Sequence, residues 1–179
     1  MLSDLSPLLL DLTGLDAAAI EALGIKTYND IYLQTAHRGI LKAHDGEDVY
    51  FYKNVGHEHA LHKTILESKD TICPLRVQRV KWIKEFIQGN VAESECWLVL
   101  DKRGFEKRLY CSFKHGYVVW LSPRDEGWNF KSSYPVSPET IRRYIKREAS
   151  LLCRFLLSGS SGQQQPSSQS DSASLRTVS

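Results

Sequence analysis

Apolar and polar residues alternate over three runs between Lys107 and Val136. In the first, Leu109, Cys111 and Phe113 alternate with Arg108, Tyr110 and Ser112. A period of two predicts a strand with the first set on a buried face and the second on the other. The next runs are Tyr117–Pro123 and Trp128–Val136. Lys114-His115-Gly116 and Pro123-Arg124-Asp125-Glu126-Gly127 separate the three as hairpin turns. In the last run Trp128, Phe130, Ser132 and Tyr134 fall on one face, so large apolar side chains give way to hydroxyls. Pro135 ends it, because proline cannot donate to a ladder. Glu95–Asp101 is a further strand, turned into the first run by Lys102-Arg103-Gly104. Connections this short predict an antiparallel meander in chain order.

The flanking segments change period. Leu15–Leu23 is rich in helix formers, with Asp16 as N-cap and Gly24 as the stop. Thr27–His37 begins another helix or an extended segment. Gly39–Ala43 and Glu47–Lys53 pair as a hairpin about Asp45-Gly46. Helices are expected over His59–Ser68 and Leu75–Gln88, the second opened by Pro74, striped by Val77, Val80, Ile83 and Ile87, and ended by Gly89-Asn90. Ser137 caps a last helix, with Pro138 at its first position and Ile141, Tyr144, Ile145, Leu151, Leu152 and Phe155 for burial. The predicted fold class is α+β: helices packed on a four-stranded antiparallel meander sheet. Residues 1–45 form an acidic helical segment packed on the body, and residues 46–157 an α+β core with a C-terminal helix. Residues 158–179 form a Ser/Gln-rich tail too polar to bury a core and expected to be disordered.

A chain of 179 residues suits one domain. No apolar run approaches the roughly 20 residues that span a bilayer. Leu8-Leu9-Leu10 follows no basic stretch, so neither a secretory leader nor a membrane partner is expected. Cys73, Cys96, Cys111 and Cys153 form no CxxC pair, which fits reduced thiols and a cytoplasmic setting. The net charge of +2 hides an asymmetry. Residues 1–52 carry 3 basic and 8 acidic side chains, and residues 53–154 carry 19 basic and 12 acidic. A basic body suits a polyanion such as RNA.

His57, His59 and His62 cluster, but H-E-H-A-L-H is not the HExxH zinc motif, and no metal is expected. Acid–base use of one histidine suits neutral pH. Arg76, Arg79, Lys81 and Lys84 form one basic group, and Arg142, Arg143, Lys146 and Arg147 another. Either could line a phosphate groove. Tyr110, Tyr117, Trp120, Trp128 and Tyr134 could stack bases, although at least three are expected in the core. GxSxG, P-loop and GxGxxG patterns are absent from the sequence, which removes the usual support for serine hydrolysis, ATP chemistry and dinucleotide binding.

Helices followed by strands carrying R-L-Y, G-Y-V-V-W-L and F-K-S-S-Y-P form a recognisable layout. It resembles the phage-associated branch of the barnase–EndoU–colicin–RelE superfamily of small RNases. Arg108 matches that group's basic inner-strand residue, and Phe130, Ser132, Tyr134 and Pro135 match its final-strand signature, with serine where threonine is commoner. His59 or His62 would fill its histidine place. The resemblance implies a metal-independent, cofactor-free endoribonuclease, toxin-like or phage-derived, in which a base lets the ribose 2′-OH attack the adjacent phosphate. Its catalytic set would be His59 or His62, Arg108, Ser132 and Tyr134. Arg76, Arg79, Lys107 and Tyr110 are the candidate RNA contacts, and a cognate inhibitor protein is a candidate partner beside RNA. The alternative is a non-catalytic RNA-binding or protein-interaction module of the same fold.

Overall fold

The computed structural model describes residues 1–63, 71–101, 103–145 and 149–156. Four hairpin-linked strands form its centre: β5 (Ser94–Leu100), β6 (Glu106–Ser112), β7 (Tyr117–Pro123) and β8 (Trp128–Pro135). The meander is therefore present, but it is not the whole sheet. β1 (Arg38–Lys42) and β2 (Asp48–Tyr52) form the hairpin expected about Asp45-Gly46, and β2 joins β8 in parallel. At the far edge β9 (Ser150–Phe155) pairs antiparallel with β5. The four-stranded antiparallel sheet is thus corrected to a seven-stranded mixed one, ordered β1-β2-β8-β7-β6-β5-β9. The physical reason is at the edges. A bare meander would leave the outer edges of β5 and β8 unpaired; β9 covers β5 from Ser94 to Leu98, and β2 pairs with the start of β8 at Trp128 and Asn129. Residues 45 and 46 lie in the β1–β2 turn, so the first 45 residues contribute a strand to this sheet.

The helices differ from expectation in instructive ways. α1 (Ala17–Tyr32) starts as predicted, with Asp16 Oδ1 accepting from the Ala19 amide at 2.8 Å. It runs on through Gly24, where α1 packs so closely on α3 that an added Cβ would meet the Val77 methyls at 3.1 Å. Glycine at this position is a contact surface rather than a stop. α2 (Lys53–Leu61) begins directly after β2 and leads into a two-residue ladder, β3 (His62–Lys63) with β4 (Thr71–Ile72). The rest of the expected His59–Ser68 helix lies outside the described residues, as does the tail. The expected Leu75–Gln88 helix is two short ones, α3 (Pro74–Gln78) and α4 (Trp82–Ile87). α5 (Pro138–Tyr144) is capped by Ser137 as predicted but stops early, and the Leu151–Phe155 stretch expected in it belongs to β9.

Both sheet faces are packed. On one, Phe51, Tyr110, Val119, Leu121 and Phe130 meet the buried residues of α1, α3 and α4, including Tyr28, Tyr32, Val77 and Phe86. Each such fully buried large side chain contributes roughly 1.5–3 kcal/mol. On the other, Val99, Leu109, Cys111 and Val118 lie under Ile141 of α5. Arg108, Tyr110 and Ser112, expected opposite the buried set, are themselves buried.

Candidate functional site

A bulge in β8 decides which side chains can meet. Trp120 pairs with Ser132 while its neighbour Leu121 pairs with Phe130, so Lys131 is an extra residue. An extra residue breaks the period of two. Phe130 therefore faces the helical core, while Ser132 and Tyr134 turn to the α5 face with Trp120. The single face expected for Trp128, Phe130, Ser132 and Tyr134 is corrected accordingly.

That α5 face holds a cavity of about 570 Å³. Trp120, Tyr134 and Tyr144 form one wall. The Trp120 indole N–H donates to the Tyr134 hydroxyl at 3.0 Å, and the Tyr134 and Tyr144 hydroxyls are 3.2 Å apart. The Trp120 and Tyr144 rings meet edge to face at 5.2 Å, and burial raises the Tyr134 pKa well above that of an ordinary phenol. Tyr134 thus stays protonated at neutral pH and serves as a hydrogen-bonding group, not an anion. Lys107, Lys131 and Arg143 bring positive charge to the lining, with the Ser132 hydroxyl between strands. Asp101 ties up Lys107 at 2.9 Å. Bonds from Lys107 and from the Arg103 and Phe105 amides hold the Asp101 carboxyl down at about 2. Lys131 and Arg143 make no ion pair among the described residues. The cavity can therefore accept an anion beside an aromatic wall.

Three candidate residues meet here: Lys107, Ser132 and Tyr134. The others lie elsewhere. Arg108 projects from the helix-covered face, 6% exposed, with ion pairs to Asp45 at 2.8 Å and Glu47 at 2.7 Å. Its guanidinium lies 4.4 Å from the centroid of the Trp128 ring, whose N–H also donates to Glu47. Tyr110, on the same face, is buried against His44, hydroxyl to Nδ1 at 2.8 Å. His62 joins α2 to α1, its Nδ1 3.2 Å from the His57 carbonyl and its Nε2 3.3 Å from Glu21. His59, in α2, offers its carbonyl to Arg76 at 3.2 Å. Arg76 also lies 5.1 Å from the centroid of the Tyr134 ring, so it approaches the site from the β8 edge. Arg79 lies over Trp82 and donates to the Leu75 carbonyl. Arg108 and the Ser132–Tyr134 pair are thus on opposite faces, and the structure does not bring the implied catalytic set together.

The sequence reading singled out Trp120 for stacking and Arg143 for a phosphate groove. It missed Lys131, Asp101 and the site role of Tyr144. An extra polar residue between two differently facing segments was the available signal for Lys131. Lys146 and Arg147 lie outside the described residues. Among the described residues, no group of three or more His, Cys, Asp and Glu side chains could hold a metal ion, and no helix is long and apolar enough to cross a membrane. Against this geometry, no protein-family model, no curated protein and no solved structure matches the chain.

Proposed function

We propose that this protein is an RNA-binding module that holds a phosphate-bearing, base-stacking segment in the cavity beneath α5. One observation carries the reading: a hydrogen-bonded wall of three aromatic rings shares its cavity with two cations, Lys131 and Arg143, that pair with no carboxylate among the described residues. Stacking on aromatic side chains is how proteins hold unpaired bases, and Lys and Arg neutralise the phosphates between them. The basic charge of residues 53–154 and the unlinked thiols fit a cytoplasmic RNA ligand. Metal-independent cleavage is the second reading, favoured by the Ser132, Tyr134 and Lys107 groups that share the cavity. It needs a general base, and among the described residues no histidine lines the cavity.

Binding of labelled single-stranded RNA across a salt series tests the first reading. Log affinity should fall linearly with log salt, and Lys131→Ala or Arg143→Ala should each flatten that slope by about 0.7. Slopes identical to the parent's would remove both cations from the interface and overturn the proposal. Incubation with total RNA in EDTA separates the second reading, since 2′,3′-cyclic phosphate ends would restore a nuclease.

A further inference from the structure

The α5 face does not end at the cavity. Val99 pairs with Lys107, and Arg108 opposite Leu121 sets Lys107 beside Ser122. Ser122 pairs with Asn129, Asn129 with Tyr50, and Tyr50 with Ile40. Paired residues share a face. Lys107, Ser122, Asn129, Tyr50 and Ile40 therefore form one row across five adjacent strands, beginning in the cavity wall.

The far end of this row is open and carries recognition chemistry. Tyr52 and Ile40 are each 39% exposed. The Arg124 guanidinium lies 3.8 Å from the centroid of the Tyr50 ring and donates to the Tyr52 hydroxyl at 3.0 Å. These contacts hold an exposed guanidinium over the Tyr50 ring, beside an exposed phenol. Arg124 makes no ion pair among the described residues, and neither does Arg38, which pairs with Tyr52 on the same face. Of the nearby acids, Asp48 is held by Lys42 at 2.7 Å, and Asp125 and Glu126 lie in the β7–β8 turn. Lys131, the extra residue of the β8 bulge, lines the cavity on the same strand as Asn129 of the row. A row that is polar but for Ile40, flanked by Lys131, Arg124 and Arg38 and with a stacking group towards each end, matches an extended polyanion that carries flat bases. An apolar peptide would leave these cations unpaired.

We infer that the ligand is a single strand several nucleotides long, crossing the sheet from the cavity to β1, with its second stacking position on Arg124 and Tyr52. This rests on the RNA-binding reading of the cavity. Four steps of about 4.8 Å separate β6 from β1, or roughly 19 Å. That span takes on the order of three to six nucleotides, within the site sizes usual for single-strand binders.

The experiment measures affinity for oligouridylates of two and eight nucleotides by fluorescence anisotropy, using the full chain. The variants are Arg124→Ala, Tyr52→Ala and, in the cavity, Arg143→Ala, each checked by thermal melting. Arg124 is an exposed turn residue, so its variant stays informative if Tyr52→Ala fails to fold. The octamer should bind at least tenfold tighter than the dimer. Arg124→Ala should weaken the octamer about fivefold or more and leave the dimer unchanged, as loss of one stacking position does. Equal affinity for the two lengths, or an octamer indifferent to Arg124 and Tyr52, overturns the extended track while leaving cavity binding intact. Absence of binding at either length overturns the cavity reading itself. An octamer sensitive to Arg124 but not to Arg143 also overturns the proposed path, because the strand would then not reach the cavity.

Discussion

Arg108 separates a structural role from a chemical one. Replacing it with alanine removes ion pairs to Asp45 and Glu47 and the contact over Trp128. Removing one partner of a fully buried pair costs about 3–5 kcal/mol, because a bare charge stays behind. Here the side chains left behind are 34% exposed for Asp45 and 49% for Glu47, so water reaches both. Their stranded charge therefore costs less. The lost ring contact adds about 0.5–2 kcal/mol, and the emptied stem leaves a void under Trp128. The expected loss is about 2–3 kcal/mol, a fall in Tm on the order of 5–10 °C. Arg108→Met should recover part of this by refilling the stem volume. Glu47→Gln combined with Arg108→Ala should cost less than the sum of the two, since both break one cluster. RNA affinity should not change, because Arg108 faces the helical core while Lys131 and Arg143 line the opposite side. The assays are urea denaturation and RNA binding on the same preparations. A variant of unchanged stability that binds or cleaves RNA on the order of 10²–10³ more weakly would refute this reasoning and return Arg108 to the active role that the RNase resemblance implies.

Gly127→Ala should destabilise by on the order of 2 kcal/mol or more in urea denaturation. Gly127 has φ +84°, and an added Cβ would overlap the Asp48 carbonyl oxygen at the β2–β8 junction. Burial lowers the pKa of His44, His57 and His115. The unfolded chain therefore takes up protons first, and stability should fall as pH drops through about 6.5 toward the depressed folded values. Denaturation at pH 7.5, 6.5 and 5.5 checks this, and a flat or rising trend refutes it. Burial pushes the Cys96 and Cys111 thiols up to about 12, so at pH 8 a thiol reagent should label Cys73 and Cys153 first and the other two only after unfolding.

Legibility followed locality. The meander, the β1–β2 turn and the Asp16 and Ser137 caps each depend on residues a few positions apart, and all could be read from the chain. The β2–β8 pair joins residues far apart through two register positions, and neither strand announces its partner. Gly24 carries a stop signal in any local reading, and only its close approach to Val77, distant in sequence, shows that the glycine serves packing within α1. The Ser150–Phe155 sequence places Leu151 and Leu152 side by side, which matches neither period cleanly, so its edge pairing decided the outcome. Most of the site was lost at one residue. Counting by twos through Lys131 puts Phe130 with Ser132, and the bulge separates them.

The parallel seam between β2 and β8 also bears on how the protein is made. The β1–β2 hairpin leaves the ribosome about 75 residues before its partner strand exists. At about 5–20 residues per second, that is roughly 4–15 s of waiting. Through that interval the outer edge of β2, with Tyr50, Phe51 and Tyr52, has no strand to pair with and can recruit the same edge of a neighbouring chain. Crowded synthesis is therefore a condition under which this chain is exposed to edge-to-edge aggregation.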